Sequence, residues 1–423
     1  MRTPRVGVGS CASRARSECE AAVSDEAVET SVPSAGRVAR GAEKLPAVQR
    51  SLGSMLYSRI AVDPEREAFR SPRAGGGWES WSWARSGQRI EELAAGFLSL
   101  GLLPEERVAI ASTTRLEWIF ADLAVMCAGG ATTTVYPSTN ADDVAFILSD
   151  SGSRFVVAED RAQLEKLLQE RPNVPSVEKV ILVDPSAVDL SARADEWIIT
   201  LEDLAGRGRA LLRAHPAAVR EADAAVRPDH LATLIYTSGT TGQPKGVELT
   251  HSNWTYEGAA IEALGLIRAD QLQLLWLPLA HSFGKVLLTA QLQIGFTSAV
   301  DGRVDKIIDN LADLGPNFMA GAPRVYEKVY ARIVSMTDSE GGVKAKIFHW
   351  AIGIGGEVAE RRISGKAVPA ALALQHRLAE RLVFSKIKAR MGGRIEYFVS
   401  GSAALSKDVG AWFEAVGLPV LEG

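Results

Sequence analysis

The sequence Tyr236-Thr237-Ser238-Gly239-Thr240-Thr241-Gly242-Gln243-Pro244-Lys245-Gly246 lies near the middle of the 423-residue chain and decides how the rest is interpreted. A short apolar run at residues 231–235 precedes it, and a strand-like pattern resumes at residues 247–250. Short β-forming runs on both sides of a stretch rich in Gly, Thr and Ser predict a strand, a loop and a second strand. The loop is therefore the reference point for the elements around it.

The residue types in this loop suit the binding of an anion. Its three glycines accept positive φ, so backbone N–H groups can converge on one point, and the Thr and Ser hydroxyls add donors. Lys245 supplies a positive charge, and Pro244 stiffens the backbone before it. The loop is not a Walker A sequence, which requires Lys followed by Ser or Thr. It is either a phosphate site built differently or a solvated Gly-rich connector.

Composition indicates a large folded protein without a nucleic-acid partner. At 423 residues and 47% hydrophobic content, the chain can bury a sizeable core. This length predicts about two to three domain-sized units. The net charge of −4 gives no basic excess. The three cysteines, Cys11, Cys19 and Cys127, have neither metal-site spacing nor an even number, so we expect a reducing cytoplasm.

The pattern of apolar residues predicts soluble α/β architecture. No apolar run approaches the roughly 20 residues that span a bilayer, so at most peripheral contact at the inner membrane face is expected. Residues 1–45 are predicted to be a disordered tail, because core-forming residues are scarce there. The rest alternates short strands with helices, which predicts two successive, helix-covered, mainly parallel sheets and part of a small β subdomain. We assign residues 46–228 to a first α/β subdomain and 229–423 to a second, incomplete at its C-terminus.

The predicted elements follow from apolar periodicity. The predicted helices lie at residues 82–100, 117–128, 141–148, 201–212, 286–292, 304–314 and 406–415, with others after residue 160 and from residue 252. The predicted strands lie at residues 107–111, 132–136, 154–158, 179–183, 272–277, 297–300, 317–320, 395–399 and 419–421. Residues 185–200 and 213–230 are expected to be connectors. Residues 323–391 are expected to be helical, broken near Gly341 and Gly355, with Pro369 opening the last helix.

Two further segments follow predicted strands, where open α/β sheets bind ligands. Residues 277–283 contain His281, a residue type that often serves in catalysis, although a single His at a strand end is more often a local hydrogen-bonding residue. Residues 399–405 place Gly401, Ser402 and Ala403 in a turn of small side chains, which would let a flat ring approach the backbone. Each segment alone is a weak signal.

In this order, the eleven residues 236–246 and the two later segments resemble the core motifs of adenylate-forming enzymes. This AMP-binding superfamily includes acyl-CoA synthetases, luciferases and peptide-synthetase adenylation domains. Residues 322–330 and the long helical region after them are similar to the long-chain fatty-acyl-CoA synthetase subgroup. The resemblance covers roughly residues 45–423 and implies the N-terminal domain of such an enzyme.

The resemblance also implies residue roles. Lys245 and His281 would be catalytic, Thr237 would bind Mg²⁺, and Phe283 would be a wall of the acyl pocket. Lys285 and Val286 stand where some long-chain synthetases carry a bulky aromatic gate, so the resemblance does not extend to that gate. The implied nucleotide-binding residues are Thr237, Ser238, Gly239, Thr240, Thr241, Gly242, Lys245, Gly401, Ser402, Ala403, Glu422 and Gly423.

The implied reaction is activation of a fatty acid by ATP and Mg²⁺, followed by transfer to coenzyme A. The family's C-terminal domain, with the lysine used in adenylation, has no counterpart in this sequence. We therefore expect an N-terminal fragment of a ligase, with little or no activity alone. Two alternatives stay open: an adenylation domain that serves a carrier protein or reductase, and a non-catalytic nucleotide- or acyl-binding fragment. The sequence gives neither acyl chain length nor oligomeric state.

Overall fold

The structure, a computed structural model, describes residues 44–188, 196–237 and 243–423. The predicted tail at residues 1–45 thus lies outside the described residues except for its last two positions. Within the described part, all strands belong to two seven-stranded sheets that are covered by helices. The predicted α/β class with two mainly parallel sheets is confirmed. A separate small β subdomain is not present in the described part of the chain.

The elements are numbered in chain order. The strands are β1 (Glu67–Pro72), β2 (Trp78–Ser82), β3 (Arg107–Ala111), β4 (Ala131–Val135), β5 (Ser153–Ala158), β6 (Lys179–Leu182), β7 (Ile198–Thr200), β8 (Leu231–Thr237), β9 (Lys245–Thr250), β10 (Leu272–Leu275), β11 (Thr297–Val300), β12 (Phe318–Gly321), β13 (Tyr397–Ser400) and β14 (Val420–Glu422). The helices are α1 (Leu52–Val62), α2 (Trp83–Ser99), α3 (Leu116–Cys127), α4 (Ala141–Ser151), α5 (Arg161–Gln169), α6 (Leu201–Ala214), α7 (Ala218–Ala225), α8 (His251–Ala263), α9 (Ser282–Ile294), α10 (Ile307–Leu314), α11 (Pro323–Glu340), α12 (Gly342–Ile363), α13 (Ala370–Ala379), which continues through a π-helical turn (Glu380–Phe384) into α14 (Ser385–Arg390), and α15 (Lys407–Val416).

Both sheets are parallel except at one edge. Sheet I has the strand order β7-β6-β5-β3-β4-β8-β9, and only its β8–β9 pair is antiparallel. Sheet II has the order β14-β13-β12-β10-β11-β1-β2, and only its β1–β2 pair is antiparallel. Helices cover strands that are buried on both faces, which explains why these strands are continuous apolar runs in the sequence.

The expectation of two successive sheets is wrong in one respect, because each sheet receives a hairpin from the other half of the chain. Strands β8 and β9 follow residue 228 but extend sheet I, where β8 pairs with β4. Strands β1 and β2 come early but extend sheet II, where β1 pairs with β11. Phe69 of β1 is fully buried there. Burial of Ala68 and Phe69 in β1 and of the central residues of β8 stabilises the exchange, and no local pattern in the sequence encodes it.

Side-chain caps explain where several helices begin. The side chain of Asn140 accepts the N–H of Asp143 to begin α4, and Gly152, with φ of +59°, ends it. Asp160 caps α5 in the same way through the N–H of Gln163. Such N-caps stabilise a helix by about 1 kcal/mol. They match the Asn, Asp and Gly signals in the sequence.

Two predictions of secondary structure are wrong. The expected connectors at residues 185–200 and 213–230 contain the short strand β7 and the helix α7. Gly355 does not break a helix, since α12 is continuous across it. A Cβ atom on Gly355 would lie 2.2 Å from the carbonyl oxygen of Ala415, so the glycine allows close contact between α12 and α15.

A buried histidine connects the first residues of α8 to α1. The Nδ1 atom of His251 accepts the N–H of Leu52 at 3.3 Å, and the ring is fully buried. Burial, reinforced by the charge of Lys285, lowers the pKa of His251 to about 3. The ring is therefore neutral in the folded protein at all moderate pH values.

The neutral state of His251 predicts a pH-dependent stability. The unfolded chain binds a proton at this ring near pH 6.5, and the folded chain does so only near pH 3, so stability is full above pH 6.5 and is lost as pH falls. Between pH 7 and pH 5 the wild-type chain should lose about 2 kcal/mol of unfolding free energy through this group. His251→Gln should show a correspondingly smaller loss in urea unfolding followed by circular dichroism. Equal losses in both proteins would contradict the assignment.

Candidate functional site

The two ends of the glycine-rich loop meet across an antiparallel pair. Thr237 ends β8, Lys245 begins β9, and these two residues are direct partners in the strand register. Both are exposed. The two strands predicted on either side of the loop are thus confirmed. The predicted phosphate-binding residues Ser238, Gly239, Thr240, Thr241 and Gly242 lie outside the described residues.

The base of this hairpin is fixed by a tyrosine. Tyr236 donates its hydroxyl to Oδ2 of Asp150 at 2.6 Å, and Gly246 covers the ring so closely that a Cβ atom there would lie 3.1 Å from it. Burial, with a contribution from Asp150, raises the pKa of Tyr236, so its hydroxyl stays protonated. The side chain of Lys245, next to this anchor, forms no ion pair or hydrogen bond with any described residue. Its charge is available to a ligand.

A pocket of about 600 Å³ opens at the carboxyl ends of β4 and β8 and the start of α9. Thr237, Pro244 and His281 contribute to it, so the structure brings the loop segment and the His281 segment to one place. The β4 side was missed by the sequence analysis. Its lining residues are Thr134, Tyr136, Ser138, Thr139, Asn140, Asp143 and Ile147. The available signal was the turn-forming cluster directly after the β4 pattern.

His281 is both a helix cap and a wall of this pocket. Its Nδ1 atom accepts the N–H of Phe283 at 3.2 Å at the start of α9, and its side chain is exposed. A neutral imidazole that accepts through Nδ1 carries its proton on Nε2. His281 can therefore donate one hydrogen bond to a ligand without giving up its cap.

Buried threonine hydroxyls hold the segment that leads to His281. Thr114, which follows β3, donates to the carbonyl of Leu277 at 2.7 Å and accepts the N–H of Leu279 at 3.2 Å. Thr134 of β4 lies 3.1 Å from the carbonyl oxygen of Ala280, which it binds as a donor. These contacts join sheet I to the segment after β10 of sheet II. They set the position of the first turn of α9.

The third predicted segment adjoins the second. A Cβ atom on Gly401 would lie 2.8 Å from the Phe283 ring and 3.2 Å from the carbonyl oxygen of Gly423. Gly423 donates its N–H to Ser400 at 3.0 Å, and Glu422 accepts the N–H of Leu405 at 3.1 Å. Phe283 is thus the direct link between the helix α9 and the turn after β13.

The outer residues of that turn face solvent. Ser402 and Ala403 are exposed, as are Glu422 and Gly423 at the end of β14. Ser402 has φ of +72°, an uncommon value for a residue with a side chain. Within the described residues, no hydrogen bond or ion pair joins Lys245 to this turn. The structure therefore brings together Phe283, Gly401 and Gly423, and separately Thr237, Pro244 and His281.

The pocket residues fit a magnesium ion only if a bound substrate supplies further oxygen ligands. No group of three or more His, Cys, Asp or Glu side chains that could hold a metal occurs in the part of the chain that the structure describes. Thr237 offers one exposed hydroxyl at the pocket. Magnesium commonly keeps several waters and takes substrate phosphate oxygens with one or two protein ligands. A single hydroxyl fits that kind of site and not a metal cage made by protein alone.

Lys285, at the position of the doubtful aromatic gate, points into the interior of the protein. Its Nζ atom lies 2.6 Å from Oδ1 of Asp122 in α3, and both side chains are fully buried. The Trp254 and Trp118 rings flank the ammonium group at 5.4 and 5.9 Å. Burial lowers the pKa of Lys285, and the Asp122 carboxylate opposes that shift. Lys285 connects α9 to α3, which the acidic residue within the apolar α3 could have suggested.

A second cavity, of about 550 Å³, is a weaker candidate. It contains several charges, but they neutralise one another: Arg115 contacts Glu117 at 2.7 Å, and Arg303 contacts Asp301 at 2.7 Å. A charged ligand would have to break these pairs. The pocket beside the unpaired Lys245 is the better anion site.

Comparison with known proteins agrees with these segments. Residues 56–423 match the family described as AMP-binding enzyme. The chain is 30% identical over 385 residues to the long-chain-fatty-acid–CoA ligase FadD15 of Mycobacterium tuberculosis, covering 88% of this chain and 60% of that protein. It is 29% identical over 410 residues to fatty acyl-CoA synthetase A of Dictyostelium discoideum, covering 89% of this chain and 57% of that protein. The chain therefore spans about six tenths of the length of these relatives.

Solved structures share the fold. The crystal structure of the long-chain-fatty-acid-CoA ligase FadD1 from Archaeoglobus fulgidus matches with a TM-score of 0.65 at 15% identity, covering 92% of this chain and 66% of that one. The adenylation domain of a carboxylate reductase from Mycobacterium chelonae matches with a TM-score of 0.65 at 19% identity, covering 88% and 57%. At these identities the matches establish the architecture alone.

The Lys285–Asp122 pair predicts strong energetic coupling. Lys285→Met or Asp122→Leu should each lower the unfolding free energy by about 3–5 kcal/mol, because each leaves one buried charge without its partner. The double variant should lose much less than the sum. Urea unfolding of the four proteins measures the coupling, and the exposed pair Arg161–Glu165 is the control, with an expected coupling below about 1 kcal/mol. Additive losses at Lys285 and Asp122 would contradict the role of the pair.

Proposed function

Because the chain belongs to the AMP-binding enzyme family, we propose that it forms the nucleotide- and acid-binding part of an enzyme that activates a long-chain fatty acid with ATP and transfers it to coenzyme A. The names of the relatives FadD15 and fatty acyl-CoA synthetase A support this substrate class. One observation carries the proposal: Thr237, Pro244 and His281 line a single pocket of about 600 Å³. That pocket has room for a nucleotide's phosphates and the reacting carboxylate.

The first step joins two anions, so the site has to neutralise charge. A carboxylate oxygen of the fatty acid attacks the α-phosphorus of ATP, the bond to the β-phosphate oxygen breaks, and pyrophosphate leaves. We assign the loop residues Ser238 to Gly242 to the phosphates, and Lys245 to the negative charge that grows on the leaving group. The lack of any competing partner for Lys245 among the described residues supports this role. A magnesium ion bound with ATP would add positive charge at the same oxygens, with Thr237 as its protein ligand.

In the second step the acyl group moves to a thiol. The thiol of coenzyme A loses its proton to solvent, its sulfur attacks the acyl carbonyl, the bond from the acyl carbon to the phosphate oxygen breaks, and AMP leaves. We assign His281 to the reacting end of the acid, where its Nε2 proton can bind a carboxylate or phosphate oxygen. Phe283 would face the acyl chain, and the turn at Gly401, Ser402 and Ala403 would face adenine, with Glu422 and Gly423 at its side. The contact between Phe283 and Gly401 supports placing acid and adenine next to each other.

The acceptor of the acyl group is the least constrained part of the proposal. The fold matches the reductase adenylation domain as well as the ligase, both with a TM-score of 0.65. Free coenzyme A and a carrier-protein thiol can be offered together to the full-length protein. Transfer to free coenzyme A supports the ligase, whereas transfer to the carrier alone would support the adenylation-domain alternative.

We infer a cytoplasmic setting from the cysteine content; Cys127 is a buried free thiol.

Removing the positive charge of Lys245 should weaken ATP binding. Lys245→Ala should raise the Kd for Mg·ATP about 10-fold or more, the loss expected for one hydrogen bond to a charged group. Isothermal titration calorimetry on this chain measures the Kd, and pyrophosphate release by the full-length enzyme measures the reaction. Lys366→Ala, an exposed lysine on a distant segment, is the matched control. If Lys245→Ala binds ATP and forms the adenylate as well as the wild type does, Lys245 is not part of the site.

Filling the space at Gly401 should disturb the acid site. A side chain there must displace the Phe283 ring, so Gly401→Val should weaken binding of a fluorescent fatty acid such as cis-parinaric acid about 10-fold. Adding Phe283→Leu should restore part of the affinity by making room. Gly356→Ala in α12, where a Cβ atom meets nothing within 4 Å, is the control. Normal acid binding by Gly401→Val would place the acid elsewhere.

A further inference from the structure

The helices α10, α11 and α14 enclose an apolar groove with a basic edge. The groove has a volume of about 400 Å³ and lies against sheet II, with Met319, Phe398 and Phe413 among the residues at its base. Exposed apolar side chains continue it outward: Val304, Ile308 and Met336 are 62%, 40% and 45% exposed. We call this surface, together with the outer face of residues 370–390, the basic groove.

The cations of α11 form a line along the groove. Arg324, Lys328 and Arg332 follow one another at four-residue spacing, which puts them on one face of the helix, and Met336 continues that line. All three cations are exposed and line the groove. None forms an ion pair with any residue that the structure describes. Three unpaired cations therefore lie beside exposed apolar side chains on one face of the molecule.

The neighbouring helix repeats the arrangement with leucines. Leu374, Leu378 and Leu382 also follow four-residue spacing and are 67%, 49% and 39% exposed. Four exposed cations flank them along the same helix: Arg377, Arg381, Lys386 and Arg390. None of these four has an ion-pair partner among the described residues, whereas the carboxylate of Glu380 is held by Lys388 at 3.0 Å. This face therefore presents apolar groups and uncompensated positive charge.

An exposed leucine by itself is ordinary, since apolar atoms cover much of any protein surface. Two features make this surface different. The apolar side chains are in rows on two adjoining helices, and the basic residues concentrate there although the whole chain carries a net charge of −4. Leucines bordered by Lys and Arg are the composition of helices that lie in a membrane interface.

We propose that the basic groove docks onto the surface of an anionic lipid bilayer. The leucine row and Met336 would enter the boundary between head groups and acyl chains, and the seven cations would contact lipid phosphates. Among the described residues no helix has the length and apolarity needed to cross a membrane, so the contact would be at the surface. The inference concerns a binding surface and does not depend on the proposed reaction.

Vesicle flotation with this chain tests the proposal. The protein should float with vesicles of equal parts phosphatidylcholine and phosphatidylglycerol, should not float with phosphatidylcholine alone, and should release at high salt. Combining Arg324→Gln, Lys328→Gln and Arg332→Gln should weaken binding about 100-fold, since each basic residue contributes about fivefold near such a surface. Combining Leu374→Ser, Leu378→Ser and Leu382→Ser should also weaken it at least tenfold.

Matched controls replace exposed residues on another face. Arg207→Gln with Arg213→Gln on α6, and Leu103→Ser before β3, should leave flotation unchanged. Thermal unfolding of every variant checks the fold, which exposed substitutions should preserve. Equal binding by the cation variant and wild type, equal binding to neutral vesicles, or no flotation with anionic vesicles would each overturn the proposal. Two other results would also overturn it. One is a dimer of the wild-type chain in light scattering that the cation variant does not form, and the other is binding of the chain to an acidic carrier protein but not to vesicles.

Discussion

The arrangement of the site depends on how the segment from Leu277 to Lys285 is held between the two sheets. Hydroxyls of Thr114 and Thr134, from the sheet I side, bind its backbone at 2.7 and 3.1 Å. At its end the ammonium of Lys285 reaches Asp122 at 2.6 Å in a fully buried pair. Buried polar groups are costly unless they are partnered, so these contacts strongly favour one register of the segment. That register determines where His281 and Phe283 lie.

From this constraint the rest of the site follows. The carboxyl ends of parallel strands share one edge, and the inter-sheet contacts make the edges of β4 and β8 meet the start of α9. Phe283 then lies against Gly401, which brings the turn after β13 beside the same helix. The walls are therefore supplied by rigid elements from both sheets. The exposed hydroxyl of Thr237 and the exposed ammonium of Lys245 remain for a ligand.

The charges of the chain serve distinct purposes. Inside, Lys285 is matched by Asp122, and in the second cavity, of about 550 Å³, Arg115 and Arg303 are matched by acids. Lys245 at the pocket and the cations of the basic groove have no such partners among the described residues. An unpaired charge at the surface keeps its interaction energy for an incoming anion, whereas a paired one must first lose its partner.

The sequence by itself determined the local elements and the order of the motifs. The strands 107–111 and 297–300 were predicted with their observed bounds, because the apolar pattern of a strand depends on neighbours along the chain. The resemblance of residues 236–246 to the AMP-binding enzyme family could also be recognised in the sequence, and the match over residues 56–423 confirmed it.

Tertiary structure decided what depends on residues distant in sequence. The hairpins β1–β2 and β8–β9 are exchanged between the sheets because their strands pair with strands distant in sequence. Gly355 lies within a helix because the close packing of α12 against α15 requires a residue without a side chain there. The Lys285–Asp122 pair spans 163 positions. Its partners meet because burial of the surrounding apolar surface brings α3 and α9 together, a long-range effect that no local periodicity records.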